Sequence, residues 1–230
     1  MERRDFSTLF KGGETRRFFV MNADLFVRSL CFIAIYIGFT VISARYGDLL
    51  LAVSSIMMKL LMIFSYFTDG FAYAGEAMAG RYIGARDRQM LRQTVKWTFV
   101  WSMGIAVIFM GIYHFAGVPL LKMMTSDVQV IEAARQYLPW LLLMPVVGCA
   151  AFTWDGIYIG ATASKDMRDS MLLAVVSFAG VWACGIFSIG FLDLDEAGYN
   201  TIAVHVLMAA YFAHLLARTV YLSVRYRKII

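Results

Sequence analysis

The sequence predicts an all-α membrane protein of six transmembrane helices, with both termini in the cytoplasm. Three observations carry this prediction. Of the 230 residues, 60% are hydrophobic and only 16% are charged, whereas a soluble domain carries about 25% charged residues. Six long apolar segments follow one another along the chain. Most basic residues lie in alternate connections between those segments, which is typical of a multi-pass membrane protein.

Each of the six segments is long enough to cross a bilayer as a helix, which takes about 20 residues. They lie at 18–44, 49–79, 94–115, 128–161, 170–191 and 199–222. All are apolar throughout, without the alternation of a membrane β-strand. The first, second and fourth are longer than a straight crossing requires, so we expect tilt or kinks, with Pro139 and Pro145 as kink candidates in the fourth. A basic cytoplasmic linker (1–17) and a basic tail (223–230) flank this six-helix region.

The distribution of Lys and Arg predicts the orientation of the helices. Basic residues are concentrated before the first span, after the second, after the fourth, and at the end of the chain, where the group comprises Arg218, Arg225, Arg227 and Lys228. The opposite side includes the acidic stretch 192–200, LDLDEAGYN. The positive-inside rule therefore places both termini in the cytoplasm, as an even number of spans also requires. The net charge of +5 thus indicates topology and contact with membrane lipids, and we expect no nucleic-acid partner.

A short repeat indicates close helix packing. Residues 80–85 read GRYIGA and residues 156–161 read GIYIGA, each near the cytoplasmic end of a predicted span. Small residues four positions apart let helix backbones approach each other. The repeat therefore predicts packing positions at Gly80, Gly84, Gly156 and Gly160; the match is too short to indicate a duplicated half.

Several charged residues lie at membrane depth, where each charge costs at least about 2.5–3.5 kcal/mol. Asp24 and Arg28 are one helical turn apart on the first span and are expected to form a local ion pair. On the second span, Lys59, Asp69 and Glu76 form a rough polar stripe. Such a stripe either lines a pathway or seals a polar core, and the sequence leaves both interpretations open.

Asp155 is the most informative of these acids, because it follows a long uncharged run. Its available countercharges are Lys59, Arg28 and Lys165. An acid whose proton affinity is set by burial and by nearby cations is suited to bind H⁺ or a metal cation on one side of the membrane and release it on the other. The sequence contains no HExxH, paired CxxC, GxSxG or phosphate-binding loop. We therefore expect no enzyme activity and no resident cofactor or metal centre.

Three stretches resemble the multidrug and toxic compound extrusion (MATE) family, in the branch related to DNA-damage-inducible protein F. Residues 67–87 read FTDGFAYAGEAMAGRYIGARD and are similar to the eighth helix of these transporters. Residues 138–171, which begin LPWLLLMPVVGCAAFTWDG, are similar to the tenth helix, and residues 21–47 to the seventh. The resemblance extends over nearly the whole chain from about residue 15.

The resemblance implies one lobe of a MATE-type transporter. Members of the family are secondary antiporters with twelve helices in two six-helix lobes, which export cationic or amphipathic compounds against inward H⁺ or Na⁺. This chain resembles the carboxy-terminal lobe only. The expected partners are therefore small amphipathic or cationic drugs, membrane lipids, and the missing amino-terminal lobe or a second six-helix chain. The expected location is the bacterial inner membrane.

The family's ligand pattern is only partly present. Asp155 matches the tenth-helix aspartate that helps bind the coupling cation, but the supporting tyrosine falls at Ala151. The seventh-helix glutamate falls near Phe32, and the nearest acid is Asp24, two turns away. The resemblance thus favours H⁺ over Na⁺. Asp155 and Asp24 are the candidate coupling residues, and the candidate cavity-lining residues are Asp69, Glu76, Lys59 and Arg28.

Two other functions remain open from the sequence. The chain is also compatible with a non-transporting or truncated membrane scaffold, in which the buried charges neutralise one another as packing. The third possibility is half of a lipid flippase, although such proteins tend to have more basic cavities than this sequence predicts.

Overall fold

The computed structural model describes residues 13–229 and contains seven α-helices over that range, with no strand. The helices are α1 (Gly13–Ser43), α2 (Asp48–Gly84), α3 (Arg88–Met124), α4 (Val128–Arg135), α5 (Leu138–Gly160), α6 (Ser164–Ile189) and α7 (Glu196–Arg225). Six of these, all except α4, are long and apolar enough to span a membrane. The predicted all-α fold with six spans is thereby confirmed. Residues 1–12 of the predicted linker lie outside the described residues. The remainder of the predicted linker, 13–17, belongs to the first turns of α1.

The predicted fourth segment, 128–161, is two helices rather than one. The short α4 is amphipathic, and the Asp127 carboxylate caps it by accepting a hydrogen bond of 2.8 Å from the backbone N–H of Gln129. Pro139 is the second residue of α5, where its missing N–H would have no helical partner. It therefore starts a helix instead of kinking one. Pro145 lies inside α5, where it removes one backbone hydrogen bond.

The spanning helices form two groups joined through α5. The helices α2, α3 and α5 pack together on one side, and α1, α6 and α7 on the other, with α5 also packed on α7. Buried apolar side chains of α2, α5 and α7, among them Phe64, Met144 and Leu207, form the main core. The buried hydroxyl of Tyr113 on α3 donates a hydrogen bond of 2.6 Å to the carbonyl oxygen of Leu60, which joins α3 to α2. The central helix α5 is thus held from both sides.

Glycines allow α2 and α5 to approach at backbone contact. A Cβ atom on Gly156 would collide with the carbonyl oxygen of Ala72, and one on Gly160 with that of Glu76. A Cβ on Gly80 would lie 3.3 Å from the carbonyl oxygen of Gly160. Three of the four predicted packing glycines therefore lie in this contact. The exception is Gly84, where an added Cβ would meet nothing within 4 Å, because α5 already ends at Gly160, beside Gly80.

The GRYIGA and GIYIGA stretches also end their helices in the same way. The residue that follows each stretch, Arg86 or Thr162, adopts a left-handed backbone conformation with φ of 57° and 54°. The next residue in each case donates its N–H to the carbonyl oxygen five positions earlier, at 2.9 Å and 3.0 Å. This is the hydrogen-bond pattern of a Schellman helix end. The repeat therefore combines a tight helix crossing with a sharp turn at the helix end.

Candidate functional site

The charged centre of the helix bundle is an ion-paired triad contributed by three helices. Arg28 on α1 donates a hydrogen bond of 2.9 Å from Nη2 to Oδ2 of Asp155 on α5. Arg218 on α7 donates from Nη2 to both carboxylate oxygens of Asp155. The Arg218 side chain is only 2% exposed. Two guanidinium groups thus share one carboxylate, and the triad carries a net charge of +1.

The triad borders a cavity of about 430 Å³ between α1, α2, α5, α6 and α7. Its apolar wall comprises Phe32, Ile33, Met62, Phe152 and Met171. Its polar wall comprises Arg28, Ser29, Ser65, Tyr66, Asp69, Asp155 and Arg218. Clefts of about 300–1,000 Å³ with apolar walls and a few convergent polar groups are typical of small-molecule sites. The arrangement is therefore suited to an amphipathic ligand.

Local packing positions Asp155 toward this cavity. The neighbouring Gly156 lies against the backbone of α2, so α5 cannot rotate without breaking that contact. On the other flank, the indole N–H of Trp154 donates to Ser223 Oγ at 2.8 Å. One turn later, the hydroxyl of Tyr158 donates to the carbonyl oxygen of Leu222 at 2.6 Å. These contacts with α7 hold Asp155 and Arg218 in register.

Asp24 lies in a separate cluster nearer the start of α1. Its carboxylate accepts hydrogen bonds from Arg168 Nη1 at 2.6 Å and from Ser164 Oγ at 3.0 Å. Arg168 also donates to Asp169. The expected local pair between Asp24 and Arg28 is not formed, because α1 turns Arg28 toward α5 and Asp24 toward the start of α6. Asp24 thus joins α1 to α6 and does not line the cavity.

The polar stripe predicted on α2 does not reach the cavity as a whole. Asp69 lines it, but Lys59 and Glu76 do not. Lys59 lies on an exposed face of α2, ten residues before Asp69, and Glu76 is half-buried close to the α2–α5 crossing. Ten residues of helix rotate a side chain well away from the starting face, so Lys59 is not the counterion of Asp155. Lys165, the other expected countercharge, has no ion pair among the described residues.

Arg218 is the site residue that sequence reasoning missed. The charge pattern groups it with the basic end of the chain, although it lies inside the predicted span 199–222. The C-terminal group thus mixes two kinds of residue. Arg225 pairs with Asp166 at 2.6 Å near the ends of α7 and α6, whereas Arg218 lies two turns deeper and is buried. Treating every charge inside a span as a membrane-depth charge would have identified it.

The residues of the triad do not fit a sodium ion at Asp155. Hard cations are bound by several oxygen ligands, whereas both oxygens of Asp155 accept hydrogen bonds from guanidinium groups. Two adjacent positive charges would also repel a bound cation.

Comparisons with known proteins agree with the fold. The sequence profile of the MatE family matches residues 25–185. The chain is 38% identical over 167 residues to DNA damage-inducible protein F of Escherichia coli (strain K12), covering 73% of this chain and 36% of that protein. It is 29% identical over 151 residues to the probable multidrug resistance protein NorM of Photorhabdus laumondii, covering 65% of this chain and 32% of that protein.

A solved structure shares the fold. The structure titled "Crystal structure of MATE in the bent conformation" matches with a TM-score of 0.76 and 15% sequence identity, over 95% of this chain and 46% of that one. The chain thus spans less than half the length of each of these relatives. The family profile covers most of the chain, including Arg28 and Asp155 of the triad but not Arg218. The chain is a multi-pass membrane protein and belongs to the MATE family.

Proposed function

We propose that the chain forms one six-helix lobe of an efflux antiporter, which exports cationic or amphipathic compounds in exchange for H⁺. The membrane is the inner membrane of a bacterium, as the relationship to the Escherichia coli protein suggests. A second six-helix lobe, from the same polypeptide or from another chain, would complete the transport pathway, since alternating access requires two lobes that move against each other. The similarity to a protein named as a probable multidrug resistance protein supports cationic or amphipathic drugs as the substrates.

The cavity beside the Arg28–Asp155–Arg218 triad carries this proposal. It combines apolar walls with four charged side chains at membrane depth. Charged residues facing a cavity inside a membrane bundle mark ion and substrate pathways. A scaffold whose charges only neutralised one another would not require a cavity of about 430 Å³ beside them. We therefore favour transport over the scaffold function.

The coupling ion proposed is H⁺. Asp155 is held by two guanidinium groups and does not fit Na⁺, which favours H⁺ as the exchanged ion. The predicted coupling residues Asp155 and Asp24 both accept hydrogen bonds from arginine. We propose that Asp155 keeps the two arginines in place and neutralises part of their charge.

Drug efflux in cells tests the proposal. The chain is expressed together with a matching amino-terminal lobe in bacteria that lack their own multidrug pumps, and accumulation of ethidium or norfloxacin is measured. We expect lower accumulation with both lobes than with either lobe alone. If both lobes insert and accumulation does not change, the chain is not an efflux lobe and the scaffold function is supported.

Asp155→Asn tests the triad within the same assay. Removing the carboxylate leaves Arg28 and Arg218 without their shared partner, so we expect accumulation to return to the level of cells without the lobe pair. The matched control is Asp193→Asn, which alters an exposed acid in the connection before α7. Equal export by the Asp155→Asn protein and the parent would show that the triad has no part in transport.

A further inference from the structure

Asp69 differs from the other cavity acid, because no side chain in the described part of the protein is bonded to it. It lies near the middle of α2, half-buried, and it lines the cavity. Its carboxylate makes no hydrogen bond and no ion pair with any residue between 13 and 229. Asp155, in the same cavity, is held by two arginines. The two acids therefore differ in how freely they can change charge.

The groups facing Asp69 leave it as the carboxyl group best placed to exchange a proton. Arg28 on α1, Asp155 on α5 and Arg218 on α7 are the charged groups that act on it. Tyr66 on its own helix is the other titratable group of the cavity wall, α6 contributes only Met171, and α3 contributes nothing. The two arginines are directed at Asp155. Asp69 therefore lies near the charged side chains of the triad, but it forms no hydrogen bond or ion pair with them.

Among the described residues of the cavity wall, Asp69 is the acid that can change its charge while the triad stays intact. The triad carries a net charge of +1, so an ionised Asp69 makes the cavity neutral and a protonated Asp69 leaves it at +1. Protonating Asp155 instead would leave the buried guanidinium group of Arg218 and the partly buried one of Arg28 without their shared counterion, which is an unfavourable state. A carboxylate at membrane depth without a partner is itself unfavourable, and taking up a proton removes that charge.

We propose that Asp69 is the residue of this lobe that binds and releases the coupling proton. The step is a reversible addition of H⁺ to one Asp69 carboxylate oxygen, which gives the neutral acid. The ionised form attracts the cationic group of a drug into the neutral cavity, and the protonated form, beside a triad of charge +1, releases it. Proton and cationic drug thus compete for one carboxylate. The proposal builds on the antiport function given above and identifies the group that carries it.

Infrared difference spectroscopy on the purified full chain in detergent micelles tests proton binding directly. Spectra are compared between about pH 6 and about pH 8, a range in which exposed carboxyl groups, with pKa values of about 4, are almost fully ionised. We expect the parent to show a carboxylic-acid C=O band that is lost as the pH rises. The band should be absent from the Asp69→Asn protein. It should be unchanged in Glu76→Gln, which alters a half-buried acid two turns away on the same helix but outside the cavity.

Isotope labelling keeps the test decisive if the Asn variant does not fold. In chains that contain carboxyl-¹³C aspartate, the band of the parent should shift, whereas the band of an Asp69→Glu protein should not. The proposal is overturned if the parent shows no such band, if the band persists in Asp69→Asn, or if it persists with its isotope shift in Asp69→Glu. This assay needs no second lobe and no drug, so a negative result here is separate from a negative result in the efflux assay.

Discussion

The position of each guanidinium group explains why this helix bundle tolerates three charges near its centre. Arg218 reaches both oxygens of Asp155 with one nitrogen, and Arg28 reaches one of them. Arginine suits such a site because its planar fork bonds carboxylates in a defined geometry and does not lose its proton. The pairing also links α1, α5 and α7, so the residues that balance charge in the cavity also join the two groups of helices.

Removing Arg218 should destabilise the folded lobe strongly. Breaking a buried ion pair from one side typically costs about 3–5 kcal/mol, because a buried charge is left without its partner. We expect Arg218→Gln to lower the free energy of unfolding by about that amount, measured by chemical unfolding of the purified chain in detergent micelles. Arg28 remains as a partner for Asp155, so the effect should lie toward the lower end of the range.

The exposed pair Arg135–Glu132 provides the matched control. These side chains are 50% and 70% exposed and lie 3.1 Å apart within α4. Exposed pairs of this kind contribute about 0–1 kcal/mol, so Arg135→Gln should change the free energy of unfolding by no more than that. Equal effects of the two substitutions would show that Arg218 is not an essential partner in the buried triad.

At the scale of the helices, the repeat places a glycine near the end of both α2 and α5. Only one of these two glycines, Gly160, is needed for the close crossing of the helices. Gly84 and Gly160 occupy the same place in GRYIGA and GIYIGA, but only Gly160 faces the backbone of the neighbouring helix. The sequence pattern identified both positions as small. It does not show which face of a helix meets a neighbour, because helix rotation depends on the packing of the whole bundle.

Gly160→Ala should therefore disrupt the crossing, and Gly84→Ala should not. An alanine Cβ at position 160 would collide with a backbone carbonyl oxygen, and overpacking of this kind costs about 1–3 kcal/mol. At position 84 the added methyl group meets open space, so stability should be unchanged or raised by up to about 1 kcal/mol. Thermal unfolding of both variants in detergent distinguishes the two, and a Gly160→Ala protein as stable as the parent would refute the crossing.

The turn after α5 contains a β-branched residue in a conformation that it rarely adopts. Thr162 has φ of 54°, and left-handed backbone costs a non-glycine residue about 1–2 kcal/mol. Thr162→Gly should therefore raise the free energy of unfolding by about 0.5–1 kcal/mol after the extra chain entropy of glycine is subtracted. The control is Ala161→Gly, where φ is −75° and glycine should destabilise the chain. A destabilised Thr162→Gly protein would contradict the strained turn.

At the scale of the whole molecule, the sequence predicted the number and order of the spanning helices but not their partners. Length and apolar composition are local properties, so six spans are visible without any knowledge of packing. The pairing of Arg28 with Asp155 and of Asp24 with Arg168 joins residues more than a hundred positions apart. These pairings depend on helix rotation and depth. That is why Asp155 was identified from the sequence while its strongest partner, Arg218, was not.

The predicted orientation is testable with introduced cysteines. In a chain without Cys31, Cys149 and Cys184, Asp193→Cys lies before α7 and Arg86→Cys lies in the turn between α2 and α3. We expect a membrane-impermeant maleimide to label Asp193→Cys in intact cells and to label Arg86→Cys only after the membrane is permeabilised. The reverse pattern would show that the termini are outside the cytoplasm.

Drug-dependent proton movement tests most directly the claim that this lobe exchanges protons for cationic compounds at Asp69. The chain and a matching amino-terminal lobe are reconstituted into liposomes with an acidic interior and an internal pH-sensitive dye, and ethidium is added outside. We expect ethidium to accelerate loss of the pH gradient with the parent and with Glu76→Gln, and to have no effect with Asp69→Asn. A gradient that decays at the same rate with and without ethidium in the parent, or an Asp69→Asn protein that behaves like the parent, would contradict the claim.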